Sequence, residues 1–147
     1  MRKIFFVGFL FVILFIAGCK NGITGNAVSQ ISDNEYVKIP LSDLSATIKF
    51  YTYESDGASI KYFAVLGSDG KPRTAFNACD VCGGYQGYRQ AGDSIKCNKC
   101  GKTFSIDGLG TENKEYGCWP SYLPHTVDEN NLLIKVNDLK SGRNKFV

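Results

Sequence analysis

Alternation of apolar and polar positions, rather than a helical repeat, dominates the body of this chain. Ala46 to Tyr53 (ATIKFYTY) is β-branched and aromatic. Its alternation predicts a strand with Ala46, Ile48, Phe50 and Thr52 on one face and Thr47, Lys49, Tyr51 and Tyr53 on the other. Glu54-Ser55-Asp56-Gly57 has turn composition, Ala58 to Gly67 (ASIKYFAVLG) predicts a second strand, and Ser68-Asp69-Gly70-Lys71-Pro72 a further turn. Arg73 to Ala78 (RTAFNA) is expected to run back along that strand, and Asn131 to Val136 (NLLIKV) to close the fold. No segment sustains a helical period over the roughly 10–12 positions a convincing helix needs. Short strands joined by Gly-rich turns therefore predict a mainly β protein, a small antiparallel sandwich or barrel.

The amino terminus follows a different pattern. Arg2 and Lys3 precede an apolar stretch from Ile4 to Ala17, which is shorter than the roughly 20 residues that cross a bilayer and has the order of a secretory signal. It ends in Ile16-Ala17-Gly18-Cys19, which is similar to a lipobox: residues 1–18 would be removed and the Cys19 thiolate acylated. An ordinary secretory signal and an uncleaved anchor are the alternatives. All three place the remainder outside the cytoplasm, tethered to the membrane in the lipoprotein reading. Residues 20–35, with the Gly-, Asn- and Ser-rich run NGITGNAVSQISD from Asn21 to Asp33, predict a flexible tether, and residues 36–147 the folded domain.

Composition narrows the function classes. The 147 residues are 44% hydrophobic, 13% aromatic and 21% charged, which is globular rather than disordered. Removing Met1 to Gly18 takes Arg2 and Lys3 from the 17 basic residues and none from the 14 acidic ones, leaving a net charge of +1. Such a domain has no electrostatic footprint for nucleic acid or for a polybasic membrane contact. No nucleophile–base pair, HExxH helix, phosphate-binding glycine loop or paired acids of a glycosidase occur. The expectation is a non-catalytic electron carrier or metal-binding protein.

The cysteines carry the chemistry. After Cys19, five remain: Cys79, Cys82, Cys97, Cys100 and Cys118. The first four form Cys79-Asp80-Val81-Cys82-Gly83 and Cys97-Asn98-Lys99-Cys100-Gly101, separated by fourteen residues. Two residues between ligands let a tight turn aim both sulfurs at one metal. A glycine just beyond permits a left-handed backbone that brings N–H groups near the sulfurs. Cys79, Cys82, Cys97 and Cys100 are thus the expected ligands of an iron-sulfur cluster, with 2Fe–2S favoured, or of a single iron or zinc. Two disulfides with Cys118 left over form the alternative that an oxidising compartment offers, but each CxxC ring would be a poor staple. A thioredoxin-like role for one CxxC lacks its βαβ context. Cys118, with the lone His125, forms a possible secondary metal or redox site, for iron or copper in transit. Buried packing or pairing are the other readings for Cys118, and a hydrogen-bonded surface role for His125.

The run Arg73-Thr74-Ala75-Phe76-Asn77-Ala78-Cys79-Asp80-Val81-Cys82, then Gly87-Tyr88-Arg89-Gln90 and Cys97-Asn98-Lys99-Cys100-Gly101, resembles the FtrD-like family of membrane-associated iron-sulfur proteins. The likeness covers roughly Tyr36 to Val136. Gly117-Cys118-Trp119-Pro120 resembles a glycine-cysteine-proline box of that family, with Trp119 inserted. The resemblance implies an iron-sulfur centre and a link to ferrous iron uptake and surface redox steps. The two boxes are also similar to those of a Rieske domain, with cysteines where both histidines would stand. Imidazole ligation places Rieske potentials at about −150 to +300 mV, against about −400 mV for all-thiolate plant-type clusters.

Around the boxes, Lys96, Lys99 and Lys102 either offset thiolate charge or form a solvated loop. Tyr85, Tyr88 and Phe104 either shield the metal or pack as ordinary core. Asp80 is expected to face solvent or cap a loop N–H. Glu112, Glu115, Asp128 and Glu129 read as solvated surface. The resulting expectation is single-electron transfer with a membrane redox protein, such as a cytochrome, or an iron permease as partner. The alternatives are a structural zinc-ribbon binding module and an iron or copper metallochaperone.

Overall fold

The computed structural model describes residues 35–83, 85–114 and 116–147. The signal segment, Cys19, the tether up to Asn34 and Glu115 lie outside the described residues. Among the described residues, no helix is long and apolar enough to cross a membrane.

The fold is mainly antiparallel β, as expected, and is built as three sheets. The strands are β1 (Tyr36–Pro40), β2 (Lys49–Ser55), β3 (Ala58–Leu66), β4 (Pro72–Cys79), β5 (Tyr88–Ala91), β6 (Ser94–Cys97), β7 (Thr103–Ser105), β8 (Pro120–Tyr122), β9 (Thr126–Asp128) and β10 (Asn131–Lys135). A central sheet has the order β2-β3-β4-β8, and two three-stranded sheets have the orders β1-β10-β9 and β5-β6-β7. Among the described residues one short α-helix, α1 (Val136–Ser141), follows β10 directly.

Local chemistry accounts for the turns. Asp56 and Gly57 both have positive φ, 49° and 75°. This is the pairing a two-residue hairpin between right-twisted strands requires, and β2 and β3 accordingly stay in register from Lys49↔Ala64 to Ser55↔Ala58. Between β3 and β4, Gly67 N–H donates to Lys71 O at 2.9 Å and the Asp69 carboxylate accepts from Lys71 N–H at 3.0 Å.

The period-two pattern sorts the central sheet between two cores. Tyr51, Tyr53, Ile60, Tyr62, Ala64, Phe76 and Ala78 pack with Val37, Ile39, Leu132 and Ile134 of the β1-β10-β9 sheet and Leu139 of α1. The intervening Phe63, Val65 and Ala75 pack on the other side with Tyr88, Ile95, Cys97 and Phe104 of the β5-β6-β7 sheet. The central sheet is therefore apolar on both faces, with one small sheet against each. Gly142, just past α1, lies so close to the Phe76 ring that any Cβ there would collide with it.

The first predicted strand starts three residues late. Ala46 to Ile48 do not join the ladder, because the Gln90 side chain takes the place of a partner strand. Its Oε1 accepts from Ile48 N–H at 2.8 Å and its Nε2 donates to Ala46 O at 2.8 Å.

Replacing the fully buried Ile134 by alanine should cost about 2–5 kcal/mol, measured by chemical denaturation. The half-exposed Val127 on β9, changed to alanine, should stay within about 0.5 kcal/mol.

Candidate metal centre

Each cysteine pair sits where a strand gives way to a turn. Cys79 ends β4 and Cys97 ends β6. In the second box, Cys97 N–H donates to Lys102 O at 2.9 Å and Gly101 N–H returns to Cys97 O at 3.0 Å. Gly101 reaches φ 76° and Gly83, after the first box, φ 56°. Both glycines expected to allow a left-handed backbone adopt one.

The two boxes are tied together by polar side chains. Asn77, buried on β4, accepts from Tyr88 N–H at 2.7 Å and donates to Tyr85 Oη at 3.1 Å, fixing the loop that leads from Cys82 to β5. Lys99 donates to the carbonyls of Cys82 and Gly83, at 2.5 and 3.0 Å. Its ammonium thus ties the second turn to backbone oxygens of the opposite knuckle. Arg89 donates to Asn98 Oδ1 at 2.7 Å, stiffening the second turn.

The late segment arrives through β8. Cys79 pairs with Pro120 across β4 and β8, past an irregularity that begins at Ala75. Asp80 N–H donates to Trp119 O at 3.1 Å. Asp80 is solvent-exposed, as expected, and its carboxylate also accepts from Ser121 Oγ at 2.5 Å and lies 3.6 Å from Lys145 Nζ. Trp119 is held in turn by Nε1 donating to Thr111 O at 3.1 Å and by an edge contact with Phe104.

The outcome is a five-thiol cluster. The sulfurs of Cys79, Cys82, Cys97 and Cys118 all lie within 4.8 Å of one another. Cys118 Sγ is 3.1 Å from Cys79 Sγ, 3.8 Å from Cys82 Sγ and 3.3 Å from Cys100 Sγ, and Cys82 Sγ is 3.9 Å from Cys97 Sγ. All five thiols are free. Cys97 is buried, Cys79, Cys82 and Cys118 are half-buried, and Cys100 is exposed. A groove of about 320 Å³ bordered by Lys102, Phe104, Lys114 and Trp119 reaches Cys118 from solvent.

The donor set fits a thiolate-bound metal. A tetrahedral ion with metal–sulfur bonds of about 2.3 Å holds its sulfurs about 3.8 Å apart, and the Cys82–Cys118 and Cys82–Cys97 separations match that value. The thiols also differ sharply in acidity. Burial opposes the Cys79 thiolate, but the N–H of Val81, the Cys118 thiol, the Tyr88 hydroxyl and the N–H of Cys82 together bring it down to about 6. The Lys102 N–H leads the contacts that bring Cys100 down to about 7. Cys82 is pushed up to about 12, first by neighbouring Cys79 and then by burial. Cys118 is also pushed up, by burial first and then by Cys79 and Cys100. Negative charge already placed on two sulfurs resists further ionisation of the others, and a cation removes that resistance.

Tyr88 and Phe104 line the apolar side of the centre in an edge-on pair, while Tyr85 packs on Phe146 instead. The Tyr88 hydroxyl is buried without a well-formed hydrogen bond. Burial, then the adjacent Cys79 sulfur, raises its pKa.

His125 sits elsewhere. Thr74 Oγ1 donates to Leu123 O at 2.6 Å, so its one proton is used there, and His125 Nδ1, 2.8 Å away, must donate to Thr74. Thr74 lies five residues before Cys79 on β4, about 17 Å along an extended strand. The clustered donor set contains no histidine. Sequence spacing singled out the two boxes, whereas the β4–β8 pairing that brings Cys118 to them had no short-range signal. Asn77, a polar residue inside an apolar strand next to Cys79, was the available hint for the loop anchor.

The family described as membrane iron-sulfur containing protein FtrD-like matches residues 41–146. No match is found among curated proteins.

Asn77→Ala strands the Tyr88 N–H and should destabilise the fold by about 1–3 kcal/mol in denaturation experiments. His125 has its pKa lowered by burial first and by the Arg73 charge second, with the Pro72 carbonyl opposing them. Its unfolded form therefore takes up a proton near pH 6.5 that the folded form resists. Stability should fall as pH drops through 6.5, and the His125→Gln variant should lose less of its melting temperature between pH 7 and 5. Equal losses in the two proteins would exclude this contribution.

Proposed function

The chain belongs to the FtrD-like family of membrane iron-sulfur proteins, and on that footing we propose that it is an electron carrier held at the outer face of a membrane. Its thiolates would hold an iron-sulfur centre that passes single electrons in iron handling. The observation that carries this reading is the convergence of five free thiols, from three separate chain segments, on one half-buried spot. A purely structural zinc knuckle needs four sulfurs and no solvent-facing approach.

When bound, the centre supplies the one-electron chemistry. The protein's residues do the rest. Cys79, Cys82, Cys97, Cys100 and Cys118 are the candidate ligands. Tyr88, Phe104 and Trp119 keep water from the inner sulfurs, so an added electron is weakly screened there. The backbone N–H groups of Val81 and Cys82 reach the Cys79 sulfur and that of Lys102 reaches Cys100, and such dipoles favour thiolate charge. Lys99 holds the two turns together while the charge changes.

The tethering follows from the amino-terminal pattern, with Cys19 as the acylated residue and residues 20–35 as the spacer. The partner on this reading is a membrane redox protein or an iron permease. A net charge of +1 after processing favours docking through a local patch rather than long-range steering.

Protein purified anaerobically should be red-brown and contain iron and acid-labile sulfide. Its midpoint potential should lie near −400 mV and vary little between about pH 6 and 9, because no imidazole is ligated. Redox titration followed by electron paramagnetic resonance checks both. Colourless protein containing zinc alone would instead establish the structural-knuckle alternative.

A further inference from the structure

Five thiols meet where an iron-sulfur centre takes four cysteine ligands, so one is surplus. Pairing of the two CxxC boxes, the arrangement their spacing suggests, leaves Cys118 over. The geometry divides the five differently. Cys79, Cys82, Cys97 and Cys118 form the mutually close group, and all are buried or half-buried. Cys82 lies at tetrahedral ligand spacing from both Cys97 and Cys118. Cys100 is exposed, and its sulfur meets the group from outside, 3.3 Å from Cys118 and also against Cys97 and Cys82.

The backbone supports the same division. Cys118 is bracketed by fixed points: Asn113 Nδ2 donates to Gly117 O at 2.8 Å on one side, and Trp119 O accepts from Asp80 N–H on the other. Asp80 is itself locked by Ser121 and Lys145. Cys97 is anchored by both its N–H and its C=O. Cys100 stands on the outer corner of that turn, beside Gly101, whose φ of 76° turns the chain back.

Resting on the reading that this site holds iron, we propose that Cys118 completes the coordinating quartet with Cys79, Cys82 and Cys97, and that Cys100 is an exchangeable thiolate through which iron enters and leaves. With the centre bound, Cys118 would hold it and Cys100 would be the thiolate able to take that place, the proton it loses to solvent being balanced by the one Cys118 gains on release. Such an exchange would move no electron. The 3.3 Å contact puts the two sulfurs within reach of the same position.

Alkylation of the full chain, purified anaerobically in detergent, tests the assignment. Iodoacetamide applied to iron-loaded protein, followed by digestion and mass spectrometry, should modify Cys100 at least about tenfold faster than Cys118, with iron retained. Metal-free protein should be modified at both. Faster modification of Cys118 than of Cys100 in the loaded protein, or equal modification of the two, overturns the proposal. Cys100→Ser should keep its iron but surrender it several-fold more slowly to a ferrous chelator, while Cys118→Ser should bind much less iron with an unchanged far-ultraviolet circular dichroism spectrum. Iron loss in Cys100→Ser with full retention in Cys118→Ser overturns it as well. Wild-type protein that takes up zinc and no iron would defeat the iron-sulfur reading alone. The same alkylation pattern on the zinc-loaded chain would then still decide between Cys100 and Cys118.

Discussion

The antiparallel join between β4 and β8 is the constraint on which the rest of the centre depends. Cys79 and Cys118 are 39 residues apart in sequence, and nothing local brings them together. Pairing of Cys79 with Pro120, Asp80 N–H on Trp119 O and the Ser121 hydroxyl on the Asp80 carboxylate close that gap within a few residues. The entropy of closing so long a loop rises only slowly with its length, so a few strand contacts and one half-buried polar pair help to offset it. The irregularity in β4 beyond Ala75 releases the strand from its regular ladder just before the first knuckle. Bulges of this kind commonly re-aim side chains at functional edges.

The sulfurs lie at the rim of an apolar cluster, and that location sets their chemistry. Cys79, Cys82, Cys118 and Trp119 pack against a core of Phe63, Val65, Ile95 and Leu109. Such surroundings stabilise packing but disfavour thiolate charge, and backbone N–H groups counter this at Cys79 and Cys100 only. The result is a group of thiols with unequal proton affinities held in contact. Thiolate sulfur is the form that binds metal, so this arrangement couples occupancy of the centre to local proton release.

Much of this was legible in the sequence, for identifiable reasons. The β2, β3, β4 and β10 segments announce themselves because each runs five or more residues with a strong period and flanking turn residues. The strands β5 to β9 have only three or four residues each, too few for a period to stand out, and their neighbours are cysteine knuckles that read as loops. The two CxxC boxes and the left-handed glycines after them follow from spacing alone. The meeting of Cys118 with the boxes, and the placing of His125 against Thr74 rather than near Cys118, depend on long-range strand pairing. The capture of Ala46 and Ile48 by Gln90 likewise joins positions more than forty residues apart, where no local propensity signals it.

The two-sided central sheet separates the place where the chain enters the fold from the place where its chemistry sits. Strand β1 covers one face with the β1-β10-β9 sheet, and the sulfurs gather beyond the other face with the β5-β6-β7 sheet. Whatever precedes Tyr36 is thus attached behind the molecule, like a handle. The thiol-bearing side is therefore not the side on which the chain enters β1, and anything that meets the sulfurs comes up against the β5-β6-β7 sheet.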